Sequence, residues 1–545
     1  MMKKHIPSKI PKKIVPKNAV PAPTQSDIQA LTTLYNQRQY EEAAQAARAL
    51  ITRFPHHGFG WKVLGAVLQL QGKMEESLEI KQKAADLLPN DAEAYNNLGN
   101  AYQEANRLEE AEKCLRHALK LSPNFVIAHN NLGITLQKML RLEEAIDSHQ
   151  KAIALKPDYA EAYYNFGVTL QKLNRLDAAA QAYQQAIHIQ PAHAKAYSNL
   201  GLVCKHLFKY EESEKNFVNA IQLDAQFVDA HYNFALLLLL LGRYLEGWAQ
   251  YQWFYHTQNK NPSKPNYPQN LPGKEWKGEA LHQKIILIHS EQGFGDMIQF
   301  VRYAELLSAH GAIVWVLVET PLVEIFKTVP WIDRVLKNGE QRAVYYDYWV
   351  FPLALPFWFK TSLEGIPMTL PYLSVNQEKS AWWREWLSQQ MPSDHKRIGL
   401  VWAGSPAHTN DANRSIPFTE LTTFANMPGF TFVSLQLGEK SSQLVSEGIE
   451  QVSIIDAAPF IYDFTDSAAL LENLDVLITV DSAPAHLAGA LNLPVWVMIT
   501  KMPDWRWLLN RADSAWYKST RLFRQAERSN WQGVLSDVKQ ALLAL

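Results

Sequence analysis

Three short stretches hold residues whose types and spacing suit chemistry on an anionic ligand. The first is His289-Ser290-Glu291-Gln292-Gly293-Phe294-Gly295-Asp296. Gly293 and Gly295 permit a tight turn and close approach of a ligand to the backbone. Asp296 stands where it can take a proton from a nucleophile or cap a helix. A helix start favours the ionised carboxylate and weakens it as a base, so Glu291 and His289 stand as alternative bases. The second stretch is Asp481-Ser482-Ala483-Pro484-Ala485-His486. Ser482 and Pro484 suit a helix start, whose free N–H groups and partial positive charge hold a phosphate. His486 then either reaches the same ligand or packs, and Asp481 either meets the ligand or caps. The third is Trp402-Ala403-Gly404-Ser405, followed by Arg414-Ser415-Ile416-Pro417. Arg414 can pair a diphosphate by charge and fork geometry, or lie on the surface. A fourth stretch, Asp504-Trp505-Arg506-Trp507 with Trp516, Tyr517, Arg521 and Arg524, is aromatic and basic. It either closes over a cleft or packs in a core.

Each of the first three stretches follows an apolar run that reads as a buried strand. Lys284 to His289, Ala312 to Glu319 and Tyr348 to Phe351 form one set, with a helix over Met297 to His310. Arg397 to Ala403, Phe430 to Leu437, Val452 to Asp456, Val476 to Val480 and Val495 to Ile499 form a second, joined to the first across Ser374 to Lys396. Strands alternating with helices imply parallel sheets covered on both faces. The expectation is two Rossmann-like halves, residues 284–390 and 391–545, with ligands beyond the carboxyl ends of the strands.

Before these halves the chain is repetitive. Prolines recur every 34 residues at Pro21, Pro55, Pro89, Pro123, Pro157 and Pro191, with Ala225 in the next slot. Leu64-Gly65, Leu98-Gly99, Leu132-Gly133, Phe166-Gly167 and Leu200-Gly201 keep the same step, as do Ala118, Ala152, Ala186 and Ala220. This is the two-helix period of a tetratricopeptide (TPR) solenoid. About seven units are expected over 24–258, with the small Ala filling the helix crossing and Tyr95, Tyr163 and Tyr197 in the core. Cys204 takes a core slot that Tyr102 holds in an earlier repeat. The cluster Trp248, Tyr251, Trp253, Phe254 and Tyr255 reads as a cap packed on the next domain. Asn97, Asn131, Asn165, Asn199 and Asn233 also keep the step. By phase they face the concave wall, where an Asn ladder either hydrogen-bonds an extended peptide or ties repeat to repeat.

Two resemblances follow. The Asn ladder is similar to that in the superhelix of the O-linked N-acetylglucosamine transferases, where it holds polypeptide. The repeat-then-transferase order resembles the same family. Gly-Phe-Gly-Asp, Arg-Ser-Ile-Pro and Asp-Ser-Ala-Pro-Ala-His, in that order over residues 284–525, resemble the heptosyltransferase-related glycosyltransferases of GT-B fold. That resemblance implies Asp296 as catalytic base. It implies Asp481 on the donor sugar's hydroxyls, the Ser482 and Ala483 amides on the diphosphate with His486 nearby, and Arg414 at the phosphates. Two departures from the usual pattern stand out. Asp-Ser-Ala replaces Asp-Thr-Gly, and Arg replaces the commoner Lys, so the donor need not be ADP-heptose.

The expectation is therefore an inverting, metal-independent glycosyltransferase that uses a nucleotide-sugar as donor substrate and no cofactor. Its acceptor is a protein or peptide held by the repeats. A non-catalytic scaffold, or a transferase acting on a glycan or lipid, are the alternatives. No Asp-x-Asp motif or His/Cys cluster of ligand spacing suggests a metal. The 545 residues carry a formal net charge of -1, so no overall basic field favours nucleic acid. No apolar run reaches the length of a membrane span. Cys114 and Cys204 read as structural thiols of a reducing, cytoplasmic setting. Residues 1–23, rich in Lys and Pro, read as a disordered tail or a weak contact for an anionic surface. Residues 259–283, with Pro262, Pro265, Pro268 and Pro272, read as an irregular linker.

Overall fold

A computed structural model describes residues 22–256, 271–408, 410–424, 427–446 and 454–545. Pro21, most of the expected tail and residues 259–270 of the expected linker lie outside the described residues. The chain divides into two compact units, Met1–Leu223 and Asp224–Leu545.

The first unit is six helical hairpins, from Gln25–Asn36 with Tyr40–Arg53 to Ala194–His206 with Tyr210–Leu223. Pro55, Pro89, Pro123, Pro157 and Pro191 each fall two residues after a second helix, where a ring that cannot continue the helix ends it. The inter-helix turn repeats too. Arg38, Gly72, Asn106, Leu140, Asn174 and Phe208 all adopt positive φ, between 57° and 76°, although only one is glycine. Ala118, Ala152, Ala186 and Ala220 are fully buried, but they are not what the glycines face. A Cβ on Gly65, Gly99, Gly133, Gly167 or Gly201 would meet the side chain sixteen residues on. Those side chains are Lys81, Leu115, His149, Tyr183 and Phe217 respectively, at 2.5–2.9 Å. The glycine thus makes room for one large side chain per repeat rather than for a close backbone crossing. Tyr95, Tyr163 and Tyr197 are only partly buried; the core position is one residue earlier, at Ala94, Ala162 and Ala196. A phenol at that place keeps its polar end near water. Cys204 is buried as expected, and both cysteines are free.

The second unit begins with the seventh hairpin, Val228–Leu240 and Tyr244–Tyr251, then a short turn of helix at Trp253–His256. The end of the expected 24–258 repeat segment thus belongs with the α/β region. The reason is aromatic. Trp248 is buried edge-on to Phe300 and Trp505, and Trp516 Nε1 donates to Tyr244 Oη at 3.1 Å.

Five parallel strands follow: β1 Lys274–Glu275, β2 Ile285–Ile288, β3 Ile313–Val318, β4 Arg334–Lys337 and β5 Tyr348–Val350. Their spatial order is β1-β5-β2-β3-β4. The second sheet holds β6 Lys396–Val401, β7 Phe430–Ser434, β8 Ile454–Asp456, β9 Val476–Val480, β10 Val495–Ile499 and β11 Thr520–Arg524, in the order β11-β10-β9-β6-β7-β8. In each half the chain runs outward from its central strand, then returns to the other side. The strand order therefore reverses between β2 and β5, and again between β6 and β9, which is the arrangement that opens a crevice for ligands. Every residue of β9 and β10 is buried, as expected of strands covered on both faces.

The sheets correct three expectations. β1 lies inside the expected linker, because Trp276 is buried against Trp358 and Phe359 and brings Lys274–Glu275 alongside β5. β4 and β11 were not anticipated. The expected helix over Met297 to His310 starts earlier, at Phe294. It is broken by a tight turn at Val301–Tyr303, where buried Arg302 folds its Nε back to Gln299 O at 2.8 Å.

Candidate functional site

A cavity of about 1050 Å³ opens at the carboxyl ends of both sheets. Gly293, Gly295 and Asp296 line it from the first half, and Gly404, Arg414, Asp481, Ser482, Ala483 and His486 from the second. The three sequence motifs therefore meet at one place. The loops after β6 and β9 straddle the reversal point of the second sheet, as ligand sites in such sheets do.

On the second-half side, Ser482 leaves its helix uncapped. Its hydroxyl turns back to Thr479 Oγ1 at 3.1 Å and Val480 O at 3.2 Å. The Ala483–Ala490 helix consequently starts with N–H groups that no side chain caps, in a wall of the cavity. Arg414 is fixed beside them, donating Nη1 to Asp481 O at 3.0 Å and Nε to Asp411 Oδ1 at 3.2 Å. A guanidinium has five N–H donors, so three are left for an anion. Gly404 is glycine because a Cβ there would collide with that guanidinium. Burial, and then the Asp504 carboxylate, push Asp481 up to about 6. Asp504 itself is held below the usual range by Arg506 despite its burial.

His486 has a different place from the one expected of a ligand-binding histidine. It is buried, its Nδ1 pairs with Tyr517 Oη at 3.0 Å, and its ring stacks on Trp507 at 5.5 Å. Burial, and then the Arg506 charge, push it down to about 3, so it is neutral. Gly295 belongs to the same packing, since a Cβ on it would stand 2.8 Å from the His486 ring.

On the first-half side, Asp296 sits in the opening turn of Phe294–Phe300 and accepts from Gly293 N–H through Oδ2 at 2.9 Å. Its Oδ1 accepts from Arg506. Arg506 is buried, anchored by Asp504 at 2.9 Å and by Gln299 Oε1 at 2.8 Å, with its guanidinium 4.3 Å above the Trp505 ring. Sequence reasoning marked Arg506 only as part of an aromatic and basic stretch. Its place just beyond β10, at a strand's carboxyl end, was the usable signal. Of that stretch, Asp504, Trp505 and Arg506 line the cavity, while Trp507, Trp516 and Tyr517 are core. Arg524 is spent on main-chain oxygens of Trp507, Leu508 and Arg511, and Arg521 packs over Trp496 and Phe523.

The two alternative bases do not line the cavity. His289 is buried against Trp349 and Phe351, with Nδ1 turned to Ser290 O. Glu291 turns to Tyr255. In their place the cavity gains Tyr232, Leu236 and Tyr251 from the seventh hairpin, which no motif announced.

In the first unit, the Asn ladder ties repeats together. Asn131 Nδ2 donates to Asn96 Oδ1 at 3.0 Å and Asn165 Nδ2 to Asn130 Oδ1 at 3.2 Å, while Asn199 reaches Tyr164 and Tyr183 hydroxyls at 3.4 Å. Asn97 accepts from its neighbour Asn96 at 3.4 Å. Asn233, half-buried, lies in the second unit. Among the described residues no helix is long and apolar enough to cross a membrane.

Tetratricopeptide repeat models match residues 29–92, 61–124, 125–192 and 194–227. Among curated proteins the chain is similar to protein FlbA of Caulobacter vibrioides, at 26% identity over 329 residues, which is 56% of this chain and 53% of that protein. The chain thus spans about half the length of that curated relative. Among solved structures it is similar to the APC/C hetero-tetramer Cut9-Hcn1, with 19% identity, 39% of this chain and 42% of that one covered, and a TM-score of 0.37. It is also similar to the TPR protein YrrB, at 24% identity, 34% and 96% coverage and a TM-score of 0.29. For MamA the values are 27%, 30%, 95% and 0.28. The helical hairpins of the N-terminal part of this chain are tetratricopeptide repeats.

Proposed function

We propose that this chain is a glycosyltransferase of GT-B type. It moves a sugar from a nucleotide-sugar to a protein or peptide acceptor recruited by the repeats. The observation that carries the reading is the cavity at the carboxyl ends of two parallel sheets, walled by Arg414, an uncapped helix start and Asp296. In that reading the diphosphate lies against the Ser482 and Ala483 amides and Arg414, which stabilise its growing charge as the sugar leaves. Asp481 holds sugar hydroxyls. The acceptor hydroxyl gives its proton to Asp296 and its oxygen bonds to the anomeric carbon. The bond from that carbon to the phosphate oxygen breaks, and its electron pair leaves with the diphosphate. One such displacement inverts the anomeric centre. Tyr232 and Tyr251 place the last repeat hairpin beside the acceptor.

Calorimetric titration with UDP, ADP, GDP and their common sugar conjugates tests this, beside Asp481→Ala. Saturable binding of one nucleotide, with only its sugar conjugate weakened in the variant, supports the reading. No binding by a folded sample overturns it. A second reading, a scaffold whose transferase-like region does not catalyse, is favoured by the repeats themselves, since such repeats serve protein interaction. Nucleotide-sugar binding with no turnover would select it.

A further inference from the structure

Glu291 takes no part in the transfer chemistry, yet its surroundings are elaborate. It leaves β2 in the loop that leads to Asp296 and turns toward the last hairpin. Tyr255 Oη donates to Glu291 Oε2 at 3.1 Å, and Oε1 is buried with no partner among the described residues. One residue on, Gln292 Nε2 donates to Tyr251 Oη at 2.7 Å. Gln292 holds φ at 56°, a left-handed conformation that side chains rarely adopt. Such strain persists only where the surroundings over-determine it. The two phenols are themselves fixed. Tyr251 is buried edge-on to Trp248 at 5.9 Å, and Tyr255 stacks on Phe351, just past β5, at 5.2 Å and 14°.

Resting on the transferase reading, we propose that the seventh hairpin is a positioning element of the site. Through the Tyr251–Gln292 and Tyr255–Glu291 contacts it sets the loop that delivers Asp296, with half-buried Glu291 as the anchor. The final repeat is then part of the working site and not only a dock for the acceptor. The anchor holds best as a neutral acid. Burial pushes Glu291 up to about 8, against the lowering effect of the Tyr255 bond. The groups facing it are Tyr232, Tyr251 and Tyr255 on the hairpin side and Asp296 on its own loop. Arg506 pairs with that same Asp296. Ionisation would put a second charge in this burial beside the Asp296 carboxylate, so loop closure weakens as pH rises from the ordinary 4.5 toward about 8 and changes no further above it.

The test uses the full chain. Hydrogen exchange is followed at residues 292–297 in wild type, Y251F/Y255F and E291Q. Kd and turnover are measured with a panel of UDP-, ADP- and GDP-sugars, turnover being read as nucleotide release. In Y251F/Y255F the loop amides exchange faster and kcat falls about ten-fold or more, with Kd for the bound nucleotide-sugar within about two-fold. In wild type, loop protection falls as pH rises from about 4.5 toward about 8 and then levels off; in E291Q that fall is lost. If no nucleotide-sugar binds wild type, the transferase reading fails and this inference with it. If one binds and Y251F/Y255F turns over like wild type, the inference alone is overturned. The same fall between about 4.5 and about 8 retained in E291Q removes Glu291 as the anchor.

Discussion

Arg506 donates to the carboxylate of Asp296 across 210 residues of chain, from the segment after β10 to the helix after β2. The pair joins the segments that follow the two parallel sheets, beside the cavity. Arg506→Gln removes a buried cation that also holds Asp504, leaving two carboxylates uncompensated. A loss of roughly 3–5 kcal/mol is expected for a buried pair broken from one side. Chemical denaturation of the full chain, followed by tryptophan fluorescence, measures it; a loss under about 1 kcal/mol would mean the pair behaves as a surface one.

Gly404→Ala places a methyl where the Arg414 guanidinium lies. The arginine must leave its bond to Asp481 O, and diphosphate affinity should fall about ten-fold, the loss of one charged hydrogen bond. Denaturation midpoints should barely move, because the displaced side chain faces the cavity. Nucleotide titration of the variant checks both points, and unchanged affinity would take Arg414 out of the anion site.

Asp481 gives a pH dependence. Its folded value lies near 6, above the ordinary 3.8, so the folded protein holds a proton that the unfolded chain has released. Stability contributed by this group is therefore present below about 3.8 and is lost as pH rises toward about 6. A bound nucleotide diphosphate, being anionic, should bind more tightly below that pH than above it. In Asp481→Asn both dependences flatten. Denaturation and titration at pH 5 and pH 7.5 measure the difference, and an equal slope in the variant would place the proton elsewhere.

His149 sets the opposite sign in the first unit. It is fully buried over Gly133 with neither ring nitrogen paired, and burial pushes it down to about 4. The folded state thus refuses a proton that the unfolded chain takes near 6.5, and stability falls as pH drops from about 6.5 toward 4. The full loss is of order 3 kcal/mol. Leu115 and Phe217 fill the same slot in other repeats, so His149→Leu should fold, stabilise the first unit and remove this acid slope. Thermal melts at pH 7 and pH 4.5 decide it.

Changing Asn131, Asn165 and Asn199 together to Ala should lower the melting point of the repeats, at roughly 1 kcal/mol per inter-repeat bond lost. If the ladder also holds the acceptor, acceptor binding falls while nucleotide binding does not. A lower melting point with unchanged acceptor affinity would leave the ladder a purely structural seam.

The repeats and the central strands were legible because each rests on a strong periodic or apolar signal. The 34-residue step places the helix boundaries, and β9 and β10 stand where five-residue apolar runs predict them. The strands that escaped, β1, β4 and β11, are all at sheet edges. Arg334–Lys337 and Thr520–Arg524 each carry two basic residues, which suits an unpaired edge and erases the apolar run. The site was half legible. Motifs at strand ends marked Asp296, Arg414 and Asp481, whereas the Arg506 partnership and the Tyr232–Tyr251 wall depend on contacts between distant segments. Whether His486 reaches a ligand or packs was open in the sequence; in the fold it lines the cavity while packing on Gly295, Trp507 and Tyr517.

The seventh hairpin has a consequence for how the chain is made. Synthesis delivers Tyr244 and Trp248 first, but Tyr244's partner Trp516 comes 272 residues later. At 5–20 residues per second that is a wait of roughly 14–54 s. Throughout it, the Tyr244 hydroxyl and ring lack their Trp516 partner, and Trp248 lacks Trp505. The six hairpins before it form a compact unit of their own and can fold as they emerge. A nascent chain stalled between residues 256 and 500 would therefore carry a finished helical array ending in an exposed aromatic surface, the kind of patch that chaperones hold.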